Sequence, residues 1–416
     1  MSKHILETID RPALGMRLQA ARKQAGLTQE DAAKSIDVAR TTLVAIEKGE
    51  RKLKPDELIR LARAYACDVS SLLRNTSVPH PEHSEIKIPP LAVQFRAAMK
   101  RSSAPVSEQE KEHQEILASI QIFENLCQKY QELEILNKSS LPKQYPPEYL
   151  DMPNLSIEKK ADNIAQEERG RLRLGEGPIP FLRETLEQNV GLRIFYIPMP
   201  AKVSEMYFYH ESLGGCMAIN RNHPEDRRRW SMAHGYLHFL VHRKKAILDL
   251  DLNQIKYQRV PVDEQLAEAF PAYFLMPTKD IMQQFSKIIQ QNGKFTPTDL
   301  FRLAHYYRVS LAALALRLEQ LELLPTGTWD ALKDRGLKVR ETQRTLGIEE
   351  VERYTEMVPV HYQYLAIHAF EQGLITEGLF AEFLGLDRLS AREIAQRLYQ
   401  EKPVHVMSVD RDLRVV

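Results

Sequence analysis

The sequence predicts a mainly α protein with a small β component: an N-terminal bundle of five short helices, a mixed α+β domain and a C-terminal helical region. Three observations carry that prediction. Apolar residues recur at helical spacing through most of the chain. Strand-like alternation is confined to the stretch between Gly191 and Asn220. Two proline-punctuated stretches, TSVPHPEHSEIKIPP at 76–90 and SSLPKQYPPEYLDMPNL at 139–155, have little to bury and read as joints. A chain of 416 residues exceeds one ordinary core, and at about 150 residues per domain two or three are expected. The expected divisions are 1–75, a linker at 76–156 carrying a long helix over about 108–137, then 157–320 and 321–416.

Composition narrows the class. Hydrophobic residues make up 43% and charged residues 27%, the balance of a soluble globular protein, and no apolar run approaches the roughly 20 residues needed to cross a bilayer. The opening MSKHILETIDRPALG lacks the apolar segment of a secretory signal. Cys67, Cys127 and Cys216 lie far apart without CxxC spacing, which argues against a disulfide framework and against a thiolate zinc site. A reducing, cytoplasmic setting is expected, with no membrane partner. The net charge of +1 hides an asymmetry, since residues 1–75 hold 14 Lys and Arg against 10 Asp and Glu. That surplus permits nucleic-acid binding without requiring it.

In chain order, the first helix spans about Leu14 to Gln24 and stops at Ala25-Gly26, where glycine supplies a left-handed cap. Thr28 caps the second, with Asp31 at the third position in capping-box fashion. Asp37-Val38-Ala39 forms a tight turn, Arg40 to Lys48 the next helix, and Gly49 its stop. Pro55 opens a fourth helix that turns Leu58, Leu61 and Ala62 inward, and Val69 to Leu73 makes a fifth. Val38, Leu43 and Ile46 fall on one stripe and read as core.

The run LTQEDAAKSIDVARTTLVAIEKGERKLKPDELIRLARAYACDVSSLL resembles the Cro/C1-type (XRE family) helix-turn-helix domain over nearly its whole length. The resemblance implies a lambda-repressor-like fold with double-stranded operator DNA as partner. The second helix of the motif would lie in the major groove, placing Arg40, Thr41, Thr42 and Ala45 against base edges and Gln29 and Lys48 on phosphates. A homodimer is expected because one such motif reads only one half-site. The competing use of a five-helix module is contact with a protein partner.

Past the first joint, Glu108 to Asn137 reads as one helix with Ile116, Ile120, Phe123, Cys127 and Tyr130 alternating four and three apart. This seam is about two heptads long and either pairs protomers or packs on the chain's own next domain. From Ile157 the chain turns mixed. A helix over Ala161 to Leu172 and another over Ile179 to Asn189 precede strand patterns at Gly191 to Ile197, Glu205 to Tyr209 and Gly215 to Asn220. The basic run Arg227-Arg228-Arg229 opens a helix against its macrodipole, so these cations are expected to meet acidic groups elsewhere or a partner.

That helix reads RRRWSMAHGYLHFLVHR and sets His234 and His238 four residues apart on one face, the arrangement by which two imidazoles reach one metal ion. Downstream, VDEQLAEAF offers Glu264 and Glu268 on one face of a second helix. Two imidazoles, one carboxylate and a water are the donor set of a catalytic-type Zn²⁺ site. In the H-E-x-x-H pattern of zinc peptidases the residue after the first histidine is a glutamate acting as general base, and here it is Gly235. Taken alone, two histidines at this spacing on an apolar face are more often accommodated core side chains than a metal site.

With the later run Glu264, Ala267, Phe270, Ala272, Leu275, Met276 and Pro277 in place, residues 157–320 resemble the ImmA/IrrE metallopeptidases, whose signature is AHE-x-GH followed by ExxA-x-x-FAA-x-LLMP. The resemblance implies a zincin-like fold and a Zn cofactor held by His234, His238 and Glu264, with Glu268 as the alternative ligand or as a group orienting a histidine. Two positions depart from the signature: Gly235 replaces the catalytic glutamate, and Leu237 replaces the glycine before the second histidine. Loss of the general base removes a contribution of about 10² to 10⁴ in rate, and a helical glycine costs about 1 kcal/mol relative to alanine. Glu268 and Glu211 are the carboxylates that could substitute. No catalytic residue is therefore assigned.

The remainder, including DLFRLAHYYRVSLAALALRLEQLELL with a break at Val309-Ser310, reads as helices packing under the mixed domain, with His305 as a packed or capping side chain. Together these features predict a DNA-binding transcriptional regulator whose metallopeptidase-like domain serves sensing, partner binding or self-association. Two other classes stay open: a zinc endopeptidase that cuts a repressor or itself, and an antitoxin-like, phage or stress-response module acting mainly through a protein partner.

Overall fold

In the computed structural model, residues 11–25, 27–65, 106–139, 154–250, 261–348, 356–387 and 389–394 are described, together with Leu72, Leu91, Phe95 and Tyr145. The chain divides once, into units Met1–Ile86 and Lys87–Val416. The expected segments 157–320 and 321–416 both lie in the second unit, where a single sheet carries cores on both faces.

In the first unit four helices are described: α1 (Arg11–Gln24), α2 (Gln29–Ser35), α3 (Arg40–Glu47) and α4 (Pro55–Ala64). Thr28 caps α2 as its sequence requires, its hydroxyl accepting from the Asp31 N–H at 3.2 Å while the Asp31 carboxylate accepts from the Thr28 N–H at 3.3 Å. Asp37, in the turn before α3, takes a positive φ of 55°. Leu18, Ala32, Leu43, Ile46, Leu58 and Leu61 close the core, and Val38 packs at its margin. Gly15 lets α1 approach α3 closely, since a Cβ there would collide with the Glu47 backbone carbonyl. The expected Gly26 cap and the fifth helix lie outside the described residues, apart from Leu72, which is buried in this core.

The second unit is built on a four-stranded sheet in the order β1-β3-β2-β4, comprising β1 (Arg193–Ile197), β2 (Val203–His210), β3 (Gly214–Asn220) and β4 (Ile247–Leu250). β1 runs parallel to β3, and β2 runs antiparallel to both of its neighbours. Period-two alternation divides the side chains between two cores. Ile194, Tyr196, Tyr207, Met217 and Ile219 face one, which also receives the helix Glu225–Val241. Phe195, Met206, Phe208, Cys216 and Ala218 face the other. β4 lies beyond the strand patterns expected from sequence.

The second core receives the long helix Val106–Leu136 and the C-terminal helices Val360–Glu371 and Glu377–Leu384. Phe123 meets Phe208 edge-on at 5.4 Å and Phe195 at 5.9 Å, and Tyr130 meets Tyr362 at 5.5 Å. Ile116, Ile120, Phe123, Cys127 and Tyr130 are all buried here. Of the two expectations for this seam, packing against the chain's own domain is therefore the one realised. Cys127 and Cys216, remote in sequence, are free thiols that meet in this core, where burial pushes the Cys127 thiol well above its ordinary value.

The helices Pro297–Tyr307 and Leu311–Gln320 flank the expected break, where Arg308 takes a positive φ of 54° and the Ser310 hydroxyl caps the second helix. His305 is exposed rather than packed, because the buried stripe of its helix runs through Leu300, Phe301, Leu303, Ala304 and Tyr307.

Candidate metal centre

Every residue from Ser231 to Leu240 is buried, so the histidine helix Glu225–Val241 is enclosed on all sides, as its run of apolar side chains dictates. The three arginines at its head turn inward or onto neighbouring polar groups. Arg228 pairs with Glu225 at 2.5 Å and lies over the Tyr196 ring, Arg229 donates to the Ile179 carbonyl at 2.6 Å, and Arg227 donates to the Ser204 hydroxyl at 3.2 Å. The cost of cations near a helix N-terminus is thus offset inside the unit itself. Tyr236 donates its hydroxyl to Glu168, which also binds Arg171 at 2.6 Å, and this anchors the helix to its neighbour Ile157–Arg171.

One turn apart, His234 and His238 bring their ring centroids to 4.8 Å. The helix Val262–Leu275 supplies Glu264 from its first turn, with Oε2 standing 3.5 Å from His238 Nε2 and 3.8 Å from His234 Nε2. Ligand atoms of these three residues all lie within 4.8 Å of one another. A tetrahedral ion with bonds of about 2.0–2.2 Å spaces its ligands roughly 3.3–3.6 Å apart, so small side-chain adjustments suffice. The donor chemistry also fits. His238 is wholly buried, and among the described residues its Nδ1 has no partner while its Nε2 has only the long 3.5 Å approach to Glu264, an arrangement that is costly unless a further partner is bound. Burial lowers His238 to about 4, which keeps it in the neutral form that ligates metals. Burial acts to raise Glu264, but hydrogen bonding and charge from His238, followed by the charge of His234, outweigh it and bring the carboxyl to about 2.

Glu268, the alternative ligand, is exposed and stands outside this group. His242, one turn past His238, approaches Asp263 at 3.4 Å, and Asp263 also pairs with Lys245 at 3.2 Å.

The sequence did not single out Glu205. It lies on β2 on the face turned toward the histidine helix, is wholly buried, and places Oε1 2.7 Å from His234 Nδ1. Burial raises Glu205 to about 7 against the opposing pull of His234. Burial would lower His234, but the charge and hydrogen bond of Glu205 outweigh it and raise the imidazole to about 9. The available signal was a lone glutamate at an inward position of a strand whose inward neighbours are apolar on both faces.

On the N-terminal unit, Arg40, Thr41 and Lys48 are exposed, while Gln29, Thr42 and Ala45 are half-buried. Gln29 is tied into a chain of hydrogen bonds. Buried Arg22 grips Glu47 at 2.6 Å, Gln29 donates to Glu47 at 3.0 Å, and Arg40 donates to Gln29 at 3.3 Å.

Residues 18–72 match the helix-turn-helix family model, and residues 187–319 match that of the IrrE N-terminal-like domain of the M78 peptidases. No curated protein matches the chain.

Proposed function

Because the chain joins an XRE-type helix-turn-helix domain to an IrrE/ImmA-like, metallopeptidase-like domain, we propose that it is a DNA-binding transcriptional regulator whose second domain binds a metal ion without hydrolysing peptides. The observation that carries this reading is the grouping of His234, His238 and Glu264 beside a glycine at the position of the general base. A Zn²⁺ ion held by these residues supplies a Lewis acid and a cross-link between two helices. His238 and Glu264 provide a neutral imidazole and an ionised carboxylate, while Gly235 offers no group to take a proton from water.

In the N-terminal unit, Arg40, Thr41, Thr42 and Ala45 face base edges of an operator, with Lys48 on phosphate. Gln29 supports Arg40 through its side-chain oxygen in addition to any phosphate contact. Operator binding calls for a homodimer, since each motif reads one half-site. The long-helix seam is buried within the protomer, so pairing uses another surface. A reducing, cytoplasmic setting belongs to this reading, since the three cysteines lack the spacing of a disulfide framework. Among the described residues no helix is long and apolar enough to cross a membrane.

The test is metal analysis of the purified full chain beside His238→Ala, a peptidase assay with and without chelator, and footprinting on the upstream DNA. Stoichiometric zinc lost in the variant, no chelator-sensitive cleavage, and a footprint abolished by Arg40→Ala with Thr42→Ala are expected. Equal metal in both proteins overturns the site. Chelator-sensitive cleavage overturns the non-hydrolytic assignment in favour of an endopeptidase, and an unchanged footprint overturns the choice of reading helix.

A further inference from the structure

We propose that Glu205 and Gly235 are a matched pair: the strand carboxylate fills the space that a side chain at 235 would need, and from there it orients His234 toward the metal. The inference rests on the metal reading above and extends it to residues outside the ligand set.

The steric half follows from the packing. A Cβ built on Gly235 meets Glu205 Oε1 at 2.9 Å, Glu205 Cδ at 3.2 Å and the Met217 Cε at 2.7 Å. Met217 ends in a flexible methyl that can move aside. Glu205 cannot yield so readily, because its Oε1 is bound to His234 and the carboxylate is wholly buried. The glycine is therefore a requirement of its neighbour on β2. The first carbon of any side chain at 235 would already meet the Glu205 carboxylate.

The positioning half follows from the hydrogen bond. A carboxylate accepting from Nδ1–H fixes the tautomer and ring orientation of a histidine and leaves Nε2 for a metal. His234 Nε2 is the atom that faces Glu264 Oε2, at 3.8 Å. Among the described residues Glu205 has no other hydrogen-bond partner, its Oε2 being buried and unsatisfied. Its neighbour across the ladder on β4 is Asp249, a second carboxylate, so nothing in the register favours an acid at this position. Burying an acid beside another acid is costly, and His234 is the group that offsets it. The site thus carries a positioning carboxylate on the strand and no side chain at 235, and a side chain placed at 235 requires Glu205 to move or be removed.

The test is a double-mutant cycle in the full chain with Glu205→Ala, Gly235→Ala and the combination, with Glu205→Gln as the conservative variant. Zn²⁺ affinity is read by chelator competition, the ligand field by Co²⁺ absorption, and stability by thermal melting of the metal-free protein. Glu205→Ala is expected to weaken zinc about 10- to 100-fold and to change the Co²⁺ spectrum, with Glu205→Gln recovering part of the loss. Gly235→Ala should weaken zinc in the wild-type background and add nothing in the Glu205→Ala background. The metal-free melting point should fall on Gly235→Ala when Glu205 is present and rise when it is absent, because alanine then contributes only its better helix propensity. Wild-type zinc affinity and spectrum in Glu205→Ala overturn the positioning role, and a Gly235→Ala effect of the same sign in both backgrounds overturns the pair. If the wild-type chain binds no zinc, the metal reading fails and the positioning role with it, while the melting comparison still decides the steric pair.

Discussion

Phe123→Ala separates a helix that belongs to the protomer's core from one that joins two protomers. Phe123 is wholly buried and sits edge-on to Phe208 at 5.4 Å and Phe195 at 5.9 Å, so truncation empties a ring-sized volume between the long helix and two strands. Substitutions of this kind cost about 3–5 kcal/mol, and the two ring contacts place this one toward the upper end. For a unit this large each kcal/mol lowers the midpoint by roughly 2 °C, giving a fall of roughly 6–10 °C. Differential scanning calorimetry of the full chain at several protein concentrations is the assay. The expected result is a lowered transition whose shift from wild type is independent of concentration, with the oligomeric state by light scattering unchanged. A variant that keeps its transition but dissociates, or whose shift vanishes at high concentration, would refute burial within the protomer, because a coupled dimer gains stability by mass action.

Three further outcomes follow from the N-terminal unit. Burial acts to raise Glu47, but hydrogen bonds from Arg22 and Gln29 and the charge of Arg22 outweigh it and hold the carboxyl below its ordinary 4.5. The stability it contributes is therefore fully present above about pH 4.5 and is lost as pH falls through the native value. Melting of Glu47→Gln against pH should show a flatter acid limb than wild type, and an unchanged limb would assign the acid sensitivity elsewhere. Gly15→Ala should destabilise by about 1–3 kcal/mol, even though alanine normally stabilises a helix by about 1 kcal/mol, because its Cβ collides with the Glu47 carbonyl; a stabilised variant in denaturant melts would contradict the close approach of α1 and α3. In DNA titrations, Lys48→Ala should lower the salt slope by about one and leave sequence preference intact, whereas Thr41→Ala should relax preference at one base pair; the reverse pattern would exchange their roles.

The parts of this molecule legible in sequence are those fixed by local rules. Thr28 and Asp31 announced a capping box that the structure contains, and His234 and His238 declared one helical face through their spacing alone. Glu264 was legible only through the signature that follows it, since nothing local distinguishes it from Glu268, four residues on and on the same side of the pattern. The structure separates the two by depth: Glu264, in the first turn, is half-buried beside the two histidines, and Glu268 reaches solvent. The long helix was ambiguous for a different reason. Its apolar seam specifies that something must cover it, and the covering surface comes from strands some 70 residues later and from helices beyond residue 360, which no local pattern connects to it.

Glu205 marks the furthest reach of that limit. Its strand was recognised from alternation, and alternation assigns it to the same side as Tyr207. What makes the position informative is a glycine thirty residues away on a helix, and the two become related only when β2 is laid against that helix. Read one at a time, Gly235 is a missing base and Glu205 a misplaced charge. Read together, each explains the other. The carboxylate is buried because an imidazole meets it, and the helix lacks a side chain at 235 because the carboxylate stands there. The acid that the helix lacks at 235 is present instead on the neighbouring strand, hydrogen-bonded to the first of the two histidines.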